Sequence, residues 1–294
     1  MAIIYLNGEW LDESQAKVSV FDRGFLFADA VYEVIPAYAG NYFRFAEHIE
    51  RLNRSLAQIK MDYRLELDTW LTIADELLQK NGLKNAGLYL QVTRGTYATR
   101  SHDLPQNLNP TVVALVSELP PVYAEDRADP QGVKAITADD IRWNRCDIKT
   151  TGLLANCLLL QQALESGADD TILVRKSKAI EATASNLFMV KNGQVITPPL
   201  GREILAGVTR DFVILLVRQL GFELIEREIQ VVELAKADEI WLTSSNKEIR
   251  PVVELNHAKI GTGSVGEVWR QVNKSYQQLK YDLYRGQFSE IEGI

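Results

Sequence analysis

Histidine, methionine and cysteine are scarce in this 294-residue chain, with three, three and two copies. Two cysteines, Cys146 and Cys157, cannot frame a disulfide scaffold, and no Cys/His pair has the spacing of a zinc site, so no metal is expected. The only imidazoles are His48, His102 and His257, and G-x-S-x-G is missing, which removes a serine hydrolase. Neither a P-loop nor G-x-G-x-x-G after a strand is present, so the common nucleotide cradles are excluded. No apolar run approaches the roughly 20 residues that span a bilayer, and the amino terminus turns polar too early for a signal peptide. A formal net charge of -7 without a Lys/Arg stripe argues against nucleic-acid binding. Small-molecule partners, no membrane and a reducing cytoplasm are the expectation.

What is present suffices for a core, since 46% of the residues are hydrophobic and 24% charged. The length exceeds one typical domain of about 100–150 residues. Ile3, Ile4, Tyr5 and Leu6 read as a strand turning at Asn7-Gly8 into a hairpin. A strand follows at Val31–Tyr38. In AEHIERLNRSLAQIKM, residues Ile49, Leu52, Leu56 and Ile59 recur at helical spacing, with Arg51 and Arg54 expected off that face. A second helix runs over Asp68–Lys80 and stops at Asn81-Gly82. LYLQVTRG and TVVALVSEL read as strands around the long loop TYATRSHDLPQNLNP, and loops of that length are often functional.

Proline and charge replace β-branched residues in PPVYAEDRADPQ, which predicts a linker at 120–131 between a small domain over 1–119 and a larger one over 132–294. The larger part opens with a strand near Val133–Ile136 and an apolar helix from Leu153 to about Ser166. TILVRK and LFMVKNGQVIT then read as a strand pair, and a helix entered through Gly-Val-Thr ends at Gly221. The last helix is expected to start in a Ser264-x-x-Glu267 capping box and to bury Val265, Trp269, Val272, Tyr276 and Leu279. The pattern is α+β in two domains.

A lysine, an acid and scattered anion binders remain to carry chemistry, and that combination suits a phosphorylated carbonyl cofactor. Pyridoxal phosphate needs an amine for a Schiff base, best a partly desolvated lysine of lowered pKa, and Lys149 stands where a polar run meets an apolar one. It needs a carboxylate at its pyridine nitrogen, for which Glu181 is the candidate. Its phosphate favours backbone amides at a helix start, offered by Val208 and Thr209, with Arg51 adding charge. A substrate carboxylate favours an arginine fork, and Arg100 in the long loop could supply one. Taken singly, Glu181 also reads as a surface acid, Thr209 as a helix cap, Arg100 as a solvated loop charge and His102 as structural. Composition does not choose among these.

FDRGFLFADAVYEV, EHIERL, QVTRGT, DIRWNRCDIKTTGLLAN, IEATASNLF, ILAGVTRD and LTSSNKEIRPV follow one another along the chain. In this order they resemble the segments of the class IV aminotransferases, the fold-type IV pyridoxal-phosphate enzymes. The resemblance covers nearly the whole chain and implies that Lys149 is the Schiff-base lysine. It also implies that Arg51, Val208, Thr209 and Ser245 hold the phosphate, that Glu181 faces the pyridine nitrogen, and that Leu205 packs on the ring. Tyr32, Arg100 and His102 resemble the carboxylate trap of the D-amino acid aminotransferases, in which the loop comes from the neighbouring subunit, so a homodimer is implied. The activity implied is transfer of an amino group between a D-amino acid, such as D-alanine or D-glutamate, and pyruvate or 2-oxoglutarate. A branched-chain L-amino acid aminotransferase or an aminodeoxychorismate lyase of the same fold is the alternative. The chain departs from the family at Ala28 and Ala30, where glycine is usual, and at Ala184 and Asn246, where a small hydroxyl is usual.

Overall fold

A computed structural model describes residues 2–105, 107–120 and 132–287. The expected linker at 120–131 lies outside the described residues apart from Pro120. The chain divides into two compact units, one containing residues 2–120 with Ile148–Gly152 and Leu283–Gln287, the other residues 132–147 and Leu153–Asp282. Lys149 is therefore part of the amino-terminal unit although it follows the first strand of the other. Helices and strands are mixed in both, so the fold is α+β as expected.

The first unit contains β1 (Ile3–Leu6), β2 (Glu9–Asp12), α1 (Arg23–Phe27), β3 (Ala30–Tyr38), β4 (Asn41–Tyr42), α2 (Phe45–Gln58), α3 (Leu67–Asn81), β5 (Ala86–Thr93) and β6 (Thr111–Glu118). Its six strands form one sheet in the order β2-β1-β6-β5-β3-β4. The expected apolar stripe of α2 is buried at Ile49, Leu52 and Leu56, and it meets Val31 and Ile35 of β3 and Trp70, Ile73 and Leu77 of α3. Each such side chain contributes about 1.5–3 kcal/mol. Arg51, expected off this face, is buried instead. Its guanidinium reaches Glu33 on β3, a buried acid that the helical period could not reveal.

Two main-chain features of this unit position functional groups. Asp22 caps α1 by accepting from the Gly24 amide at 2.7 Å and is braced by the Thr93 and Thr111 hydroxyls at 3.0 and 2.6 Å. The helix ends at Ala28 in the left-handed region, φ 54°, a conformation that explains why glycine is usual there. Residues 148–151 run along the edge of β3: the Tyr32 amide donates to the Lys149 carbonyl at 3.1 Å, and Val31 bridges to Thr150.

The second unit contains β7 (Val133–Asp139), α4 (Leu154–Glu165), β8 (Asp170–Arg175), β9 (Lys178–Ala182), β10 (Asn186–Lys191), β11 (Gln194–Thr197), α5 (Val208–Gln219), β12 (Leu224–Glu226), β13 (Ile229–Gln230), α6 (Val231–Leu234), β14 (Glu239–Ser244), β15 (Glu248–Leu255), β16 (Ala258–Lys259) and α7 (Glu267–Tyr284). TILVRK does not pair with LFMVKNGQVIT. β8 lies between β7 and β9, whereas β10 lies between β11 and β14. The intervening β9, KAIEA, is too short and mixed to give a period-2 signal. β9 also touches β10 through the pair Glu181↔Asn186, which closes the path β10-β14-β15-β7-β8-β9 into a ring. Glu181 sits at that closure.

Two further expectations are corrected. The α7 start is Glu267, and Ser264 makes no capping box; its hydroxyl pairs with Thr262. The Glu239 carboxylate of β14 accepts from the Val268 and Trp269 amides instead, both at 2.9 Å, so a residue remote in sequence supplies the cap. The buried face of α7 is Trp269, Val272, Tyr276 and Lys280, the last paired with Glu248. Helix α4 is less buried than its composition predicts: only Leu159 and Ala163 are covered, and Leu154, Leu158 and Leu164 are exposed.

Candidate active site

Lys149 is half-buried in the first unit, with its backbone fixed to β3. Its ammonium lies 4.2 Å from the centre of the Tyr32 ring, and among the described residues it pairs with no carboxylate. Tyr32 is in turn stacked on Tyr89, centroids 5.6 Å apart.

On β3, next to Tyr32, Glu33 is fully buried. It accepts from Arg51 Nε at 2.7 Å and Arg51 Nη2 at 2.6 Å, and meets His48 Nδ1 at 2.7 Å. Burial works to raise the Glu33 pKa, but Arg51 and His48 outweigh it and bring it down to about 2. His48 is driven the other way: burial lowers its pKa against the pull of Glu33, with Arg51 and Lys149 adding to the lowering. The group is therefore a carboxylate, a guanidinium and a neutral imidazole.

This contributes to the acid stability of the fold. A carboxylate depressed from 4.5 to about 2 stabilises the native state above its unfolded pKa, and that contribution is lost as the pH falls between those values. His48, neutral when folded, adds a loss that begins as the pH drops below 6.5. Urea unfolding midpoints should fall steeply in the acid range, and Glu33→Gln should flatten that fall while lowering stability at pH 7. An acid profile unchanged by the substitution would exclude Glu33 as its source.

Arg100 and His102 are exposed in the loop after β5, and both lean on one side chain. The Arg100 guanidinium lies 5.1 Å from the Phe27 ring centre and the His102 ring 5.4 Å from it. Arg23, 4.9 Å from the same ring, donates to Ser101 O at 2.8 Å. Arg23 and Arg94 both bond Asp29, at 2.8 and 2.7 Å, and outweigh the burial that would otherwise raise the Asp29 pKa. The loop is thus anchored at its base to α1. Phe27 lies within a motif segment, but only the fold reveals what stacks on it.

In the second unit, Glu181 is buried. Its Oε1 accepts from Arg142 Nη1 at 2.6 Å, and its Oε2 accepts from Asn186 Nδ2 and the Leu205 amide, both at 3.2 Å. Burial pushes its pKa above the usual carboxylate range, and Arg142 and the Leu205 amide offset only part of that. Asn186 also donates to Leu205 O at 2.8 Å, so one amide side chain joins β10 to the segment carrying Leu205. Arg142 and Asn186 lie inside motif segments, yet neither has a role legible in the sequence.

Val208 and Thr209 open α5 after Gly207, the N-cap, which provides no side-chain cap bond. A Cβ at Gly207 would stand 2.0 Å from Asn186 Oδ1, so only glycine fits. The first amides of a 12-residue helix with no side-chain cap suit an anion. Ser245 is half-buried in the turn after β14, two residues beyond Thr243, which pairs with Asn186.

The first unit thus offers a lysine with no carboxylate partner among the described residues, and the second a buried carboxylate and a helix start receptive to anions. The family model for amino-transferase class IV matches residues 30–255. The chain belongs to this family. Proteins similar to it include the D-alanine aminotransferase of Staphylococcus haemolyticus, 35% identical over 279 residues, covering 95% of this chain and 98% of that protein. The D-alanine aminotransferase of Bacillus licheniformis is 38% identical over 274 residues, covering 93% and 95%. Among solved structures, the branched-chain amino acid aminotransferase of Escherichia coli matches with a TM-score of 0.87 at 26% identity, covering 99% of this chain and 97% of that one. A second branched-chain amino acid aminotransferase, from T.th. and solved with pyridoxamine 5'-phosphate, matches with a TM-score of 0.87 at 25% identity, covering 99% and 97%. The chain is a pyridoxal-phosphate-dependent aminotransferase. No helix among the described residues is long and apolar enough to cross a membrane.

Proposed function

We propose that this enzyme transfers the amino group of a D-amino acid, D-alanine or D-glutamate foremost, to pyruvate or 2-oxoglutarate. When bound, pyridoxal 5'-phosphate supplies an aldehyde that condenses with amines and a ring that, while cationic, draws electrons from the substrate α-carbon. Lys149 Nζ would hold the cofactor through its aldehyde. Its amine, once released, would be the base that takes the substrate α-proton and holds it for return. Glu181 would keep the ring nitrogen protonated, and Leu205 would pack on the ring. The Val208 and Thr209 amides, Ser245 and Arg51 would bind the phosphate.

The observation that favours a D-amino acid over the branched-chain alternative is the pairing of Arg100 and His102 on Phe27. With Tyr32 they form a carboxylate trap, and the D-alanine aminotransferases among the relatives support the same choice. In this reading each subunit of a homodimer in the cytoplasm lends its loop to the other. The exposed Leu154, Leu158 and Leu164 of α4 support a self-associating face.

A panel of single D- and L-amino acids, followed through the absorbance of the bound cofactor, tests the assignment. D-alanine and D-glutamate should react and L-leucine should not; the reverse order would replace this reading with the branched-chain one. Arg100→Ala removes a charge-assisted contact worth about 1.5–3 kcal/mol, and should raise the KM for D-alanine and pyruvate by about ten- to a hundredfold. An unchanged KM for both would take Arg100 out of the trap. Mixed dimers of Arg100→Ala and Lys149→Ala chains should combine the low KM that the Arg100→Ala parent lacks with the turnover that the Lys149→Ala parent lacks, because one site of the hybrid keeps both groups. No recovery in proven hybrids would put the loop to work in its own subunit.

A further inference from the structure

A line of alternating charges ends on Glu181. Arg175 Nη2 donates to Asp140 Oδ2 at 2.8 Å. Asp140 holds Arg142 with both oxygens, accepting from Nε at 2.9 Å and from Nη2 at 3.0 Å. Arg142 Nη1 then reaches Glu181 Oε1. The Asp140 side chain is fully buried and that of Arg142 only 8% exposed, so water screens this line little. None of Arg142, Asp140 and Arg175 has a role in the proposed reaction.

We propose that Arg142 is a positioning residue that keeps Glu181 ionised and aimed, and that Asp140 and Arg175 fix Arg142 for that task. The proposal rests on the assignment of Glu181 to the ring nitrogen and deepens it. A carboxyl as deeply buried as Glu181 favours its neutral form, and a neutral acid cannot hold a cationic ring. An isolated cation at Arg142 would solve that problem and create another, since its own field would repel a proton on the ring. Asp140 answers this by cancelling the charge of Arg142, while Arg175 beyond it is also paired with Glu203 at 3.5 Å. The bidentate grip on Arg142 also fixes the direction of its remaining nitrogen, which a single flexible contact would not do.

Few other groups act on Glu181. Asp140 opposes its ionisation, and Arg142 favours it. The Cys146 thiol nearby is raised by burial and therefore uncharged at neutral pH. Asn186 and the Leu205 amide complete the shell as neutral donors. Removing Arg142 thus leaves a buried carboxyl with neutral donors and one repelling acid.

The test uses holoenzyme with Arg142→Met and Arg142→Lys, each in the parent and in Glu181→Gln. Two quantities are followed: the pH midpoint of the acid change in bound-cofactor absorbance, and the Kd for pyridoxal phosphate measured on the apoprotein. In the parent, Arg142→Met should raise the midpoint by about one unit or more, which is a tenfold change in proton affinity, and Arg142→Lys should recover part of it. In Glu181→Gln, Arg142→Met should move neither quantity by more than about twofold, because the group it acts through is gone. Equal effects in both backgrounds, or a pH profile that superimposes on the parent's, would overturn the proposal. If Arg142→Met does not fold, the lysine variant reads the same cycle with smaller amplitude. A Glu181→Gln enzyme whose profile matches the parent's would remove the assignment of Glu181 itself, and the proposal with it; a changed Glu181→Gln profile with no Arg142 effect removes only the proposal.

Discussion

Lys149→Ala should leave a folded protein that does not turn over. In the proposed mechanism the substitution removes both the nucleophile that holds the cofactor and the base that moves the α-proton. General acid–base catalysis alone is worth about 10²–10⁴-fold, so the combined loss should exceed about 10⁴ in kcat. The fold should be spared for a local reason. The bond that ties this segment to β3 uses the Lys149 carbonyl, which alanine retains, and among the described residues the ammonium makes no ion pair whose loss would strand a buried charge. Among the described residues the ring contact that is lost is the one with Tyr32, worth about 0.5–1 kcal/mol. Steady-state assays with thermal melts separate the two outcomes. A variant with the parent's rate would end the role of Lys149; one that fails to fold would show that the side chain is structural.

Glu181→Gln should slow transamination by about 10²–10⁴-fold while the cofactor remains bound. Glutamine keeps an oxygen for Arg142 and the packing at the β9–β10 closure, but it carries no charge to hold a proton on the ring nitrogen. Burial raises the Glu181 pKa, so this carboxylate is a cost to the native state rather than a support. For an acid whose pKa is raised in the fold, stability falls as the pH rises from the unfolded value through the folded one. A charge maintained against that cost fits a functional group better than a structural one. Half-reactions with D-alanine, read as the decay of cofactor absorbance, measure the effect, and a substrate deuterated at Cα should show an enlarged isotope effect in the variant. Parent-like rates would mean that another group governs the ring nitrogen.

Whether a feature is legible in the sequence depends on whether it is local. The α2 stripe at Ile49, Leu52 and Leu56, the hairpin at Asn7-Gly8 and the stop at Gly82 are set by period and turn chemistry, and the sequence displays both. Lys149 and Glu181 stand out through ordered motifs. What escapes is non-local. The burial of Arg51 depends on Glu33, eighteen residues away. The cap of α7 comes from Glu239 on another strand, and a valid-looking Ser264 signal misleads because Val265 and Gly266 stay outside the helix. Phe27 acquires meaning only when Arg100 and His102 stack on it. Arg142 stands seven residues before the lysine in plain view, but an arginine shows its target only when the strands are assembled. Ala28 is the reverse case: the departure from glycine is visible in the sequence, and the left-handed φ gives it a physical content.

A covalent bond between the Lys149 amine and the aldehyde of pyridoxal phosphate underlies every step proposed for this enzyme. Reducing the holoenzyme with borohydride, digesting it and mapping the peptides by mass spectrometry tests that bond directly. One phosphopyridoxyl group is expected, on the peptide containing Lys149. A label on any other lysine, or an unmodified Lys149 peptide from folded, cofactor-saturated protein, would contradict it.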